Sequence, residues 1–531
     1  MNYEKLKRKC YYMWIEYRIV FFTTFVLGVI SHGMALFNKI SLQDDPESLF
    51  YVGQTYTSGR WGLGILWKLV RIFTGTSSVS IPLTHGLISF LLLSISSILI
   101  LKSLNIKSKF SRIAISGLMV TFPAFTALVG YNFTMPYYCV AVLLSILGVT
   151  LICANKSILY TLTGIIFIAF GLGIYQAYFA FSTGLLILVF LNELIGNTVD
   201  SNGKWFLTCF KKTVYTGSGV IVYFIINKIF LNALNQELSN YRSISTFGVT
   251  SIGGYVDRIG KIYQIILNGF IHKANNPEFE IFTKSTNMFP FSLRYLYLII
   301  LYSTLFFSIY ICIKLFRKDL VKLLYCIILL TIYPMMILLS FLMTETDFVH
   351  SLMVYPSVMI LFLPLLLIER IQEGSTEIKG IRKMYKSIVF VSISFMLVFN
   401  SRYANIAHLK GIVQQEQCIS YYTTLISQIK SVKGYKNGMK VCFVERDDNS
   451  VNDSSIGYFY QFSDIGIIPY EVDSYIKHHK TYKHHMRIWC GFNPEYVDSK
   501  VFIQNNKVKM MSHYPDEGSI KVVDGVVVIK F

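Results

Sequence analysis

Long apolar runs recur along this chain, each close to the length a helix needs to cross a lipid bilayer. The hydrocarbon core is about 30 Å thick, so a spanning helix takes roughly 20 mostly apolar residues. Runs of this kind begin near Tyr17, Ile81, Ile113, Cys139, Ile158, Ala177, Tyr215, Leu293, Leu323, Ser351 and Ser387. They predict about eleven spans, within one or two. Inside a bilayer the backbone must satisfy its own hydrogen bonds, so the fold class is mainly α, a polytopic helical membrane bundle. Only 15% of the residues are charged, against about 25% in soluble domains. The run after Tyr17 is too long for a signal-peptide core and lacks a small-residue cleavage site, so it reads as a first span that is retained. Residues 139–154 make a short run, and residues 215–231 carry Asn227 and Lys228, which must face protein or snorkel.

The formal net charge is +19, which by itself would suit nucleic acid. The positions of the charges point elsewhere. With the N-terminus in the cytoplasm, alternate loops hold Lys102, Lys107, Lys109 and Arg112; Lys156; Lys204, Lys211 and Lys212; Lys314, Arg317, Lys318 and Lys322; and Arg370, Lys379, Arg382, Lys383 and Lys386. The short loops on the other side, residues 131–138, Gln176 and residues 344–350, carry no lysine or arginine. The excess is therefore a topology signal, with no nucleic-acid partner expected. An odd number of spans puts the C-terminus outside.

Two long outward segments interrupt the spans, residues 37–80 and 232–292. Within the first, residues 62–73 (GLGILWKLVRIF) read as an interfacial helix with Lys68 and Arg71 three apart and Trp67 at headgroup level. Residues 256–271 show a similar mixture. The chain divides into a membrane domain, residues 1–404, and a small α/β domain, residues 405–531, long enough for its own core. In the latter, residues 404–430 read as a helix leaving the membrane and residues 439–445 as a strand. Residues 519–531 (SIKVVDGVVVIKF) read as a hairpin about Asp524–Gly525. No internal repeat is visible.

The chemistry concentrates outside the spans. Asp44 and Asp45 follow the first span and precede Pro46. Two adjacent carboxylates near a bilayer surface repel each other and lose hydration, which suits one of them to act as a base. Asp-Pro-Glu is equally a common helix start, and one aspartate can do both jobs. In residues 58–64 (SGRWGLG), Arg60 can bind a phosphate through two parallel hydrogen bonds, and the glycines allow close backbone approach. Trp61 can stack on a sugar face, or both residues can serve as membrane-surface anchors. Tyr175–Gln176 forms an outward corner, where Gln176 can bond a sugar hydroxyl or cap a helix. Glu345, Asp347 and His350 form a polar outward loop too loosely spaced for a metal site. His350 suits a partner of Asp347 or a substrate contact. Tyr241 and Arg242 are further candidates for phosphate contact. His478, His479, His484 and His485, interleaved with Lys477, Lys480 and Lys483, read as a solvated basic face. None of the nine cysteines has CxxC spacing, so no metal site is expected. Cys418, Cys442 and Cys490 lie on the outward side, where an oxidising compartment permits a disulfide.

The segments LQDDPESLF, SGRWGLG, GIYQAYF and MMSHYPDEGSIKVVDGVVVIKF resemble the Gtr-type glucosyltransferases, which modify bacterial O-antigen and share the plan of GT-C membrane glycosyltransferases. The resemblance implies a location in the bacterial inner membrane with the C-terminal domain in the periplasm. It also implies transfer of glucose from undecaprenyl-phosphate-glucose to a sugar hydroxyl of O-antigen or another surface polysaccharide. On that reading Asp44 or Asp45 is the base of a single inverting displacement. Arg60, with Lys68 and Arg242, meets the donor phosphate, while Trp61, Tyr175, Gln176, Tyr241, Glu345, Asp347 and His350 contact donor sugar or acceptor. No cofactor or metal is implied. The implied partners, besides the bilayer, are the lipid-linked sugar, the glycan acceptor, a flippase and the glycosyltransferase that makes the donor. His350 stands where the family leads one to look for an arginine. Three other readings remain open: a transporter or flippase for a lipid-linked sugar, a GT-C enzyme with another donor or acceptor, and a surface-binding membrane protein whose C-terminal domain does the work.

Overall fold

The computed structural model describes residues 3–42, 44–48, 55–75, 79–196, 199, 201–239, 251–267, 291–317, 319–343, 351–370, 376–444 and 482–531. The helices of the first part are α1 (Tyr3–Phe37), α2 (Asp45–Ser48), α3 (Trp61–Thr74), α4 (Pro82–Ser103), α5 (Lys109–Thr121), α6 (Pro123–Gly130), α7 (Met135–Ala154) and α8 (Ile158–Ile174). There follow α9 (Phe179–Ile195), α10 (Asn202–Ala233), α11 (Ile252–Leu267), α12 (Phe291–Phe316), α13 (Leu320–Ile337), α14 (Leu339–Met343), α15 (Phe362–Arg370) and α16 (Thr376–Ser431). The apolar runs of the sequence form helices, except that the run from Ser351 opens with a turn and the 3-10 segment Tyr355–Leu361 before α15. Among the described residues, eight helices are long and apolar enough to span, or nine with the bent pair α5–α6. The chain is a mainly α, polytopic membrane protein.

The chain forms two compact units. One comprises residues 1–39, 52–409 and 462–471; the other comprises residues 40–51, 410–461 and 472–531. The segment carrying the acidic pair groups with the C-terminal unit, not with the spans that flank it.

In the first unit α7 packs against α4, α8 and α9, and α1 packs against α4 and α5. The α7–α8 contact is close because it is made by glycine: a Cβ on Gly164 would lie 2.6 Å from the Gly148 carbonyl oxygen, the small-residue device of membrane helix pairs. The 41° bend between α5 and α6 follows from Pro123. Proline has no N–H, so the Met119 carbonyl loses its helical donor. Tyr355 Oη donates to that oxygen instead, at 2.5 Å. The freed Val120 carbonyl is 2.8 Å from His32 Nε2. A carbonyl only accepts, so His32 carries its proton on Nε2. His32 Nδ1 lies in hydrogen-bond distance of His408 Nε2, 2.9 Å away. Glu369 accepts from the Ser108 amide at 3.2 Å and the Ser111 hydroxyl at 3.1 Å, and Arg370 donates to the Leu104 carbonyl at 2.5 Å. The basic loop after α4 and the end of α15 are thereby joined, and orphan groups at two helix ends are satisfied.

The second unit contains a three-stranded sheet of β1 (Lys440–Val444), β2 (Ile520–Val523) and β3 (Val526–Lys530), in the order β1-β3-β2. The β2–β3 hairpin turns on Asp524 (φ 50°) and Gly525 (φ 79°), the two left-handed residues that a tight hairpin needs. β1 runs parallel to β3, with Val441 opposite Val527. Cys442, Val444, Phe502, Val508, Met511, Val523 and Val528 form one core cluster. The helix Tyr482–Trp489 corrects the expectation of a solvated histidine face: His485 is fully buried beside Tyr422 and Trp489. At helical spacing Tyr482, His485 and Met486 share the inward face. His478 and His479 lie outside the described residues. Cys418, Cys442 and Cys490 carry free thiols.

Candidate active site

The acidic pair lies in the second unit, on a segment fixed at several points. The Ser48 amide donates to the Asp44 carbonyl (2.9 Å) and closes the single turn of α2. Pro46 suits that start, because the amide it lacks would have no helical partner there. The two carboxylates have different environments. Asp45 is buried, with its Oδ2 accepting from the Ser41 hydroxyl at 2.5 Å. Asp44 is exposed. Behind them, the Ser41 amide donates to Gln415 Oε1 of α16 at 2.5 Å. α2 packs on the helix Tyr482–Trp489. There burial lowers the pKa of His484, and the carboxylate of Glu47 opposes that shift. Neighbouring acid residues thus divide into one held side chain and one open to water.

The SGRWGLG segment lies in the first unit and is built around a tight turn. The Arg60 amide donates to the Thr55 carbonyl at 2.9 Å, and Gly59 adopts φ +72°. That left-handed conformation favours glycine, and a Cβ there would fall 2.4 Å from Tyr223 Oη. Gln176 Nε2 donates to the Ser58 carbonyl at 2.8 Å and lies 3.0 Å from Tyr223 Oη, which itself donates to the Gly59 carbonyl at 3.1 Å. The corner residue expected to meet a sugar therefore clamps the turn that presents Arg60. Arg60 in turn stacks over Tyr175 (5.2 Å to the ring centroid), and its Nη1 donates to Tyr138 Oη at 3.2 Å. The Tyr138 and Tyr175 rings are themselves stacked, 4.4 Å apart. The guanidinium plane is set before any ligand arrives.

Trp61 is 2% exposed. Its ring stacks on Phe230 at 5.8 Å and is met edge-on by Phe170. In this structure the indole is packing behind Arg60, not an open platform. α3 approaches α8 closely because Gly62 faces Gly173: a Cβ on Gly62 would lie 2.9 Å from that backbone. Lys68 is exposed on α3, with its ammonium 5.6 Å from the Tyr56 ring centroid. Ile72 and Phe73 beyond it are exposed, as an interfacial helix requires.

Tyr241, Arg242, Glu345, Asp347 and His350 lie outside the described residues. Among the described residues no group of three or more His, Cys, Asp or Glu is placed to hold a metal ion. Sequence reasoning missed Tyr138 and Tyr223 beside Arg60, and Ser41, Gln415 and His484 around the acidic pair. Tyr138 was within reach of inspection, being a polar aromatic at the start of an apolar run. Gln415 and His484 had no local signal.

The fold is that of a many-span helical membrane protein with an acidic pair after its first span and a clamped arginine turn. The family model described as Glucosyl transferase GtrII matches residues 33–368, well over half of the chain. The chain belongs to that glucosyltransferase family, and the matched region includes both the acidic pair and the arginine turn. No curated protein and no solved structure matches.

Proposed function

We propose that this glucosyltransferase takes glucose from undecaprenyl-phosphate-glucose and passes it to a sugar hydroxyl of O-antigen or a related surface polysaccharide, on the periplasmic face of a bacterial inner membrane. The observation that carries the chemistry is the division within the acidic pair: Asp45 is buried and bonded to Ser41, while Asp44 is exposed on a fixed turn. Asp44 is therefore assigned as the general base and Asp45 as the residue that positions its turn.

In the proposed step the acceptor hydroxyl gives its proton to Asp44 as its oxygen attacks the anomeric carbon. The bond from that carbon to the phosphate oxygen breaks, and polyprenyl phosphate leaves with the electron pair. A single displacement inverts the anomeric centre. Charge develops on the departing phosphate, and a pre-set guanidinium stabilises such charge without reorganising. Arg60 is assigned that role, with Lys68 and Arg242 as further cations. Gln176 and Tyr175 act by holding Arg60, while Tyr241, Glu345, Asp347 and His350 are assigned to sugar contact. A flippase and a donor-synthesising glycosyltransferase would supply the lipid-linked sugar.

The test is mass spectrometry of surface glycan from cells with and without the gene. A glucose substituent that appears only with the gene supports the proposal. An unchanged glycan, with the protein present in the membrane, overturns it.

A further inference from the structure

The second unit exposes large apolar side chains in one place. Among its described residues these are Val501, Ile503 and Met510, with Met510 79% exposed. All three fall within ten residues: Val501 and Ile503 on the short helix Lys500–Ile503, and Met510 directly after the helix Asn506–Lys509 that packs on it. The register explains the display. Phe502 and Val508 point inward and join the core cluster, which turns their neighbours outward.

The charged side chains of the same stretch are all cationic. Lys500, Lys507 and Lys509 are all exposed. Lys507 pairs with Asp524 at 2.9 Å and so offsets the hairpin's acidic tip. Lys509 Nζ donates to the neutral amide of Gln504 at 2.9 Å. The Asp498 carboxylate accepts from the Lys500 backbone amide at 3.0 Å.

We propose that this face of the C-terminal unit docks on a bilayer surface rich in anionic phospholipid headgroups, with Val501, Ile503 and Met510 entering the headgroup–acyl boundary. Apolar side chains ringed by lysine match the chemistry of an interfacial anchor. A protein partner fits less well, because lysine is depleted from protein interfaces and three apolar side chains fall short of a stable contact area. The helix α16 runs unbroken from the membrane-spanning unit into this one, so the unit is tethered to a bilayer.

The test uses the full chain in nanodiscs of phosphatidylcholine with phosphatidylglycerol. A benzophenone amino acid replaces Met510, or the exposed Lys433 as a control, and adducts are mapped by mass spectrometry after irradiation. The expected result is a phospholipid adduct at 510 at least roughly fivefold above that at 433. The double variant Lys500→Glu/Lys509→Glu is expected to reduce it roughly tenfold. These side chains are exposed, so folding is not at issue, and neither readout depends on catalysis. An adduct at 510 no greater than the control, one mapped to polypeptide, or one undiminished by the charge reversal overturns the proposal.

Discussion

Gly59→Ala probes the clamp that presents Arg60, and its cost can be worked from the geometry. Gly59 sits at φ +72°, where an L side chain costs roughly 1–2 kcal/mol. The new methyl would also lie 2.4 Å from Tyr223 Oη and 2.9 Å from Gln176 Nε2, an overpacking worth roughly 1–3 kcal/mol. The single variant should therefore lose about 3 kcal/mol. Tyr223→Phe alone removes a donor to the Gly59 carbonyl and the hydroxyl that faces Gln176, for a loss of about 1 kcal/mol. It also removes the atom that the methyl strikes. The next tyrosine atom is 3.7 Å from that methyl, an ordinary contact. The double variant should thus be no less stable than Gly59→Ala alone, a coupling of at least about 1 kcal/mol in favour of the pair. Thermal unfolding of the four proteins in one detergent or nanodisc gives the comparison. Additive losses, within about 0.5 kcal/mol, would refute the clamp.

Tyr138→Phe should leave the fold intact and weaken Arg60's hold by roughly 1.5–3 kcal/mol, the range for a hydrogen bond to a charged group. A fall in transfer rate at unchanged donor KM, seen in reconstituted vesicles, is the expected outcome. In the C-terminal unit, burial pushes the His485 imidazole down to about 4 from its ordinary 6.5. Below pH 6.5 the unfolded chain binds a proton that the folded unit refuses, so stability falls as pH drops from 6.5 towards 4, by as much as about 3 kcal/mol. Hydrogen-exchange protection of residues 482–489 should decline over that window, and His485→Phe should flatten the decline. Ser41→Ala removes the Ser41 hydroxyl's hydrogen bond to the buried Asp45 carboxylate and should cost about 1–3 kcal/mol, read as a lower melting temperature.

What the sequence made legible was what local pattern encodes. Apolar run length disclosed the helices, and Asp524–Gly525 disclosed the hairpin, since only a left-handed pair closes so short a turn. The helix α3 was visible in its mixed composition. The acidic pair and Arg60 stood out as charges beside spans.

The environments of those residues were not legible, because they are made by distant parts of the chain. Gln415 and His484 approach the acidic segment from some 370 to 440 residues further on, and nothing in either neighbourhood marks them. Tyr138 and Tyr223 reach Arg60 and Gly59 from separate helices. Trp61 looked like a sugar platform by residue type, yet its environment depends on Phe170 and Phe230 packing around it. The His32–His408 contact joins opposite ends of the membrane unit's sequence. It was overlooked because each histidine stands alone in an apolar helix.

The central claim is that Asp44, the open member of the pair, takes the acceptor's proton. Its most direct test is the transfer rate of purified, reconstituted Asp44→Asn and Asp45→Asn at matched melting temperature, with undecaprenyl-phosphate-glucose and acceptor glycan. Loss of general-base catalysis should slow Asp44→Asn by about 10²–10⁴-fold, while Asp45→Asn, which keeps an acceptor for Ser41, should lose far less. An Asp44→Asn protein that transfers glucose at the native rate, or an Asp45→Asn protein that is the slower of the two, would contradict it.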